Sequence, residues 1–157
     1  MSIVLGRIDN RLLHGIVASQ WTPISGCTRV MVVDNAIASD PNLKDSMKLA
    51  KPAGVGLSII TEEVALENFK AGKYDPQKVF IISKNPTIFN KLSKLGYKTP
   101  RLVIGGTTVR EGAKRLSSRA DAIEEEISQY EELIKNGTKV EIQYIPADKA
   151  VDFNRVV

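Results

Sequence analysis

Ser2-Ile3-Val4-Leu5-Gly6-Arg7-Ile8-Asp9-Asn10-Arg11-Leu12-Leu13-His14-Gly15 begins as a short apolar strand, Ser2 to Leu5, and ends on the only histidine of the 157-residue chain. From Gly15 to Ile24 the residues Val17, Trp21 and Ile24 recur at helical spacing. The stretch therefore reads as strand, loop and helix, with His14 on the loop. In α/β proteins strand ends and helix N-termini converge at such loops, and chemistry is commonly done there.

The same alternation continues along the chain. Arg29 to Asp34 is a second strand ending in a carboxylate. Asp40-Pro41 starts a helix whose buried stripe is expected at Leu43, Met47 and Ala50, with Pro52 as its stop. Val55 to Ile60 is a third strand, and Thr61 caps a helix that turns Ala65, Leu66 and Phe69 inward. Lys78 to Ser83 is a fourth strand. Asn85-Pro86 opens a helix with Ile88, Leu92 and Leu95 facing inward and Gly96 beyond its end. Arg101 to Ile104 runs as a strand into Gly105-Gly106-Thr107-Thr108. Lys114 to Ala122 has the weak pattern of a short strand. Asp121 and Glu124 read as a capping box for a helix on Ile123, Ile127, Tyr130 and Ile134, closed by Asn136-Gly137. Lys139 to Tyr144 alternates like a last strand with one exposed face. Strands alternating with helices predict one α/β domain over residues 1–157, an open and mainly parallel sheet with helices on both faces.

Composition narrows the function. No apolar run approaches the ~20 residues of a membrane helix, and no signal segment precedes the first strand, so the chain reads as cytoplasmic. One cysteine, Cys27, excludes an internal disulfide. With one histidine as well, the usual Cys- and His-based metal sites are unavailable, and no metal or cofactor is expected. The net charge of +4 suits an anionic partner, but the basic residues are dispersed and aromatics make up only 6%, which argues against nucleic acid.

His14 could be a general base, a metal ligand or a phosphoryl acceptor. Arg7 and Arg11 would repel a cation, and no second catalytic motif supports general-base chemistry. A phosphohistidine fits better, because arginine pairs with phosphate oxygens bidentately. The N–H groups of Gly15 and Ile16 at a helix start could add donors. Asp9, or Asp34 at the end of the second strand, could bind one ring nitrogen, fix the tautomer and leave the other nitrogen free to attack. His14, Arg11 and Asp9 are thus the candidate reacting group and its partners, and Arg7, Asn10, Gly15, Ile16 and Asp34 the candidate supporting set. The competing reading is a nucleotide- or phosphometabolite-binding module using the Gly105-Gly106 turn, although the first turn lacks a dinucleotide fingerprint.

Arg7 to Gly15, followed by Val17 and Trp21, resembles the IIB subunit of the mannose/fructose/sorbose-type sugar phosphotransferase system. Val32-Val33-Asp34, Ile104-Gly105-Gly106, Arg110-Glu111-Gly112 and Val140 to Pro146 sit where that family has similar segments. The resemblance implies a phosphocarrier in which His14 takes phosphate on Nδ1 from a IIA histidine. It would pass the group to a sugar at the IIC/IID membrane complex, to which the chain would bind peripherally. It places the family's upstream arginine on Arg11 and its motif aspartate on Asp9, and it leaves a homo-oligomer open. Members usually carry glutamine after His-Gly, where this chain has Ile16.

Overall fold

A computed structural model describes residues 2–157. Its strands are β1 (Ile3–Asp9), β2 (Arg29–Val33), β3 (Gly56–Ile60), β4 (Val79–Ser83), β5 (Arg101–Gly106), β6 (Lys114–Arg115), β7 (Asp121–Ala122), β8 (Lys139–Ile142) and β9 (Val151–Asp152). Seven of them form one sheet in the order β3-β2-β4-β1-β5-β8-β9, with β6 and β7 a separate antiparallel pair. Every pairing in the large sheet is parallel except β8 with β9. A π-helical turn, Val17–Trp21, leads into α1 (Thr22–Ser25). The other helices are α2 (Asn35–Ser39), α3 (Pro41–Lys48), α4 (Glu62–Lys70), α5 (Thr87–Lys94) and α6 (Glu124–Lys135).

The two sheet faces carry two cores. On one, Leu5, Val30, Val32, Phe80, Ile82 and Val103 pack with Val17 and Trp21. On the other, Met31, Val79, Ile81, Leu102 and Ile104 pack with Phe69, Phe89, Leu92, Tyr130 and Leu133. Covering both faces explains why β4 is buried throughout and apolar from Val79 to Ile82. The sheet is the expected open, mainly parallel α/β architecture.

Several local expectations change. The first strand extends to Asp9, and its register against β4 shifts between Ile3 and Leu5. Ile24 is 59% exposed instead of buried. The π-helical turn causes this, since its wider ring advances the helix face. The Thr22 N–H donates to the Val17 carbonyl five residues back, and Pro23 next to it has no N–H for an α-type bond. Leu43 is 46% exposed because only the last turn of α3, through Met47 and the following Ala50, reaches the core. Leu95 lies past the end of α5 and is 42% exposed. The helix-capping glutamate is Glu126, not Glu124: its Oε1 accepts the Ile123 N–H at 3.1 Å. Lys114 to Ala122 is the β6–β7 hairpin and not one strand. In β8 Glu141 is buried and ion-paired to Arg101 at 2.6 Å, so of the face expected to be solvated only Lys139 is exposed.

The topology selects one crevice. The chain leaves β1 toward β2 on one side of the sheet and leaves β5 toward β8 on the other. Ligands of open α/β sheets bind where neighbouring strands diverge in this way, beyond their carboxyl ends. Here that place is the gap between the ends of β1 and β5.

Candidate functional site

Arg7 and Asp9 lie two residues apart on β1 and so share a face. It is the face of Trp21, whose ring centre is 4.9 Å from the Arg7 guanidinium carbon. Arg7 has no exposed surface. A buried cation must be paired and hydrogen-bonded, and here every arm is used. Nε donates to Asp9 Oδ2 at 3.2 Å, Nη1 to the Gln143 carbonyl at 3.1 Å and Nη2 to the Tyr144 carbonyl at 2.9 Å. Burial pulls the Arg7 guanidinium below its ordinary value, and Asp9 opposes that shift.

The guanidinium reaches β8 by lying across β5. A Cβ on Gly105 would overlap it, so this glycine is the passage for Arg7. The β1–β5 register skips at the same point, pairing Ile8 with Ile104 and Asp9 with Gly106.

Asp9 is the hub of the site. Oδ2 also accepts from His14 Nε2 at 3.0 Å, and Oδ1 accepts the Arg11 N–H at 3.0 Å. A carboxylate only accepts, so it holds the proton on Nε2 and leaves Nδ1 with the free lone pair. The loop that returns His14 over Asp9 is built on Leu12, which has a left-handed φ of 58°. That conformation is costly for a residue with a Cβ. Burial of the Leu12 side chain at 1% exposure holds it there. The Leu12 N–H donates to the Asp9 carbonyl at 3.1 Å, closing the turn.

His14 opens into a cleft of about 280 Å³ lined by Asp9, Asn10, Arg11, Gly106, Thr107, Arg115, Arg119 and Tyr144, among others. The structure thus brings together His14, Asp9, Arg11 and Asn10, with Gly15 and Ile16 opening the helix that follows. Arg7 lies beneath them as a support of Asp9, and its occupied donors keep it off any ligand. Asp34 is not part of the site. Its carboxylate caps α2 through the Ile37 N–H at 3.0 Å and faces Lys84 at 3.9 Å. Asp34 lines a separate hollow with Ser83 and Asn85. A carboxylate at a strand end looks in sequence like a site residue, but here it is a helix cap, and the five-residue α2 is too short to show in the pattern.

Sequence reading missed Arg115, Arg119 and Tyr144. The signal for the first two was the basic run of Arg110, Lys114, Arg115 and Arg119 within ten residues. Arg110, from the same run, is committed elsewhere. It bonds Glu126 through Nη1 and Nη2 at 2.9 and 2.7 Å, and Asp121 through Nη2 at 2.7 Å. Glu126 chiefly raises the Arg110 guanidinium above its ordinary value, burial opposes this, and Asp121 adds to it. Burial would raise the Asp121 carboxyl, but bonds from Arg110 and the Thr107 hydroxyl outweigh it and hold Asp121 below the usual carboxylate range. This network ties the hairpin to the end of β5.

An open α/β sheet with one aspartate-oriented histidine in an arginine-lined cleft at its switch point defines a protein that handles anionic groups. The family model described as "PTS system sorbose subfamily IIB component" matches residues 3–157, and the chain belongs to that family. The sorbose-specific EIIB component of Lacticaseibacillus casei is 29% identical over 152 residues, 97% of this chain and 93% of that protein. The mannose-specific EIIAB component of Escherichia coli K12 is 28% identical over 148 residues, 94% of this chain but 46% of that longer protein. The crystal structure of the IIBSor domain of the Klebsiella pneumoniae sorbose permease superposes with a TM-score of 0.89 at 26% identity, covering 100% of this chain and 99% of that one. The protein is therefore a phosphotransferase component of a sugar transport system, with a phosphoryl-transfer role among other components of that system.

Proposed function

We infer that His14 is the phosphoryl acceptor of this component, that its donor is a phosphohistidine on a IIA domain, and that the group passes on to a sugar at IIC/IID membrane subunits. The observation that carries this is the 3.0 Å bond between His14 Nε2 and Asp9 in a cleft ringed by arginines. The Nδ1 lone pair attacks phosphorus, the donor's N–P bond breaks, and its electron pair returns to the donor ring nitrogen. The Nε2 proton stays in place, and the Asp9 carboxylate balances the positive charge the ring gains. Phosphoryl transfer asks mainly for alignment and charge stabilisation. Arg11 serves here as the cation that spreads the transferring charge, with Asn10 and the Gly15 and Ile16 N–H groups as further donors.

A IIA donor is supported by the Escherichia coli relative, whose name, EIIAB, joins A and B functions in one protein. Among the described residues no helix is long and apolar enough to cross a membrane. That agrees with residues 1–157 acting as one IIB domain on the cytoplasmic side, docking on membrane subunits instead of entering the bilayer.

The test is intact-mass analysis after incubation with phosphoenolpyruvate, the general phosphotransfer proteins and a IIA donor. Wild type is expected to gain one acid-labile phosphate and His14→Ala none, with circular dichroism unchanged. Phosphate on the alanine variant overturns the assignment to His14. An uncharged wild type, with charged upstream proteins, overturns the carrier reading.

A further inference from the structure

We propose that Arg119, stacked on Tyr144, is a second phosphoryl-binding arginine of the His14 cleft, a role that rests on the carrier reading above. Three arginines line this cleft, Arg11, Arg115 and Arg119. Among the described residues none of the three has a carboxylate within ion-pair distance, in contrast to Arg7, Arg101 and Arg110. Cations grouped around a histidine without counter-charges of their own are arranged for an anion that comes and goes.

Of the three, Arg119 is the one held in place. Its guanidinium carbon lies 3.8 Å from the centre of the Tyr144 ring, within stacking distance. The backbone of Tyr144 is fixed in turn, because its carbonyl accepts from both Arg7 Nη2 and Trp21 Nε1 at 2.9 Å. The backbone of Arg119 is anchored as well: its carbonyl accepts the Thr107 N–H at 3.0 Å and its N–H donates to the Ser117 hydroxyl at 3.1 Å. A guanidinium stacked on a ring keeps its in-plane N–H donors free for phosphate oxygens and loses little freedom on binding them. Arg7 therefore does two jobs with one guanidinium. One arm sets Asp9 and through it His14, and another sets Tyr144 and through it Arg119. The histidine and the opposing cation are thereby held to one buried reference.

The chemical step is the one already described, with Arg119 donating hydrogen bonds to the phosphoryl oxygens and taking no proton. Losing one charge-assisted contact is expected to slow charging of His14 on the order of tenfold. The experiment compares wild type with Arg119→Gln, Tyr144→Leu, Tyr144→Phe and the Arg119→Gln/Tyr144→Leu double variant. It measures the rate of phosphorylation by phospho-IIA and the half-life of the isolated phosphohistidine. Arg119→Gln and Tyr144→Leu are expected to be slow alike, the double variant no slower than either, and Tyr144→Phe to rescue the rate because it keeps the ring. Melting curves of the variants separate this from misfolding. Wild-type charging rate and phosphohistidine lifetime in Arg119→Gln overturn the role of Arg119 while leaving the carrier reading intact. A wild type that takes no phosphate overturns both.

Discussion

Asp9 is asked to do three things that only a carboxylate can do together. It accepts from Arg7 Nε, from His14 Nε2 and from the Arg11 N–H. An asparagine has one oxygen for these three donors. Turned toward Arg7 and His14, its amide would set N–H against the Arg11 N–H. Turned the other way, it would hold Nε2 as an acceptor and shift the proton to Nδ1, where attack must occur. Asp9→Asn is therefore expected to slow phosphorylation of His14 roughly a hundredfold or more, as loss of a tautomer-fixing carboxylate does in other sites. It is also expected to destabilise the fold by about 3 kcal/mol, since the Arg7 charge is left without its counter-ion. A quenched time course and a urea titration read the two effects. A variant that charges normally would show that Asp9 does not set the reacting tautomer.

At the scale of elements, the site depends on three strands being bridged by one side chain. Arg7 leaves β1, crosses β5 at Gly105 and bonds the two carbonyls that follow β8. Gly105→Ala would drive the guanidinium off this path and leave Asp9, Gln143 and Tyr144 without their donor. A loss of about 3–5 kcal/mol is expected, the range for breaking a buried ion pair. Gly106→Ala is the control, because its Cβ would meet Asn10 Oδ1 at 3.3 Å and the Arg119 carbonyl at 3.7 Å, and not the Arg7 guanidinium. Equal urea midpoints for the two variants would remove Arg7 from its role as a bridge. The sequence carried part of this. Apolar runs and caps at Asp40 and Thr61 gave the elements, and the segment from Arg7 to Gly15 gave the candidate reacting group. Pairing across distance was not legible: nothing local ties Arg7 to Gln143, Gly105 to Arg7, or Arg119 to Tyr144. The role of Asp34 is hidden for the same reason, since a strand-end carboxylate and the cap of a five-residue helix look alike until the next turn is seen. The left-handed Leu12 was equally hidden, because only tertiary burial holds a leucine in that conformation.

Over the whole molecule the charge is modest, +4, but its placement is uneven. Arg7 is compensated by Asp9, and Arg110 is more than compensated by Asp121 and Glu126, so neither adds positive charge to the field. Arg11, Arg115 and Arg119 stand around the His14 cleft without carboxylate partners. On the proposed carrier reading a donor arrives with a doubly negative phosphoryl group, and a low-dielectric cleft of positive charge would raise its local concentration. This attraction acts over about 10 Å at 0.1 M salt and about 3 Å at 1 M. Adding salt should therefore slow encounter while leaving transfer within the formed complex nearly untouched. For phosphorylation of His14 by the IIA donor, kcat/KM is expected to fall roughly tenfold between about 0.05 and 0.5 M sodium chloride, with kcat almost constant. Steady-state rates at a series of donor concentrations separate the two. A kcat that falls in step with kcat/KM would mean that salt acts on the transfer step itself, and the exposed arginines would then not be steering the donor. Arg115→Gln sharpens the measurement, because removing one uncompensated charge should flatten the salt dependence of kcat/KM even where the variant binds and transfers phosphate well.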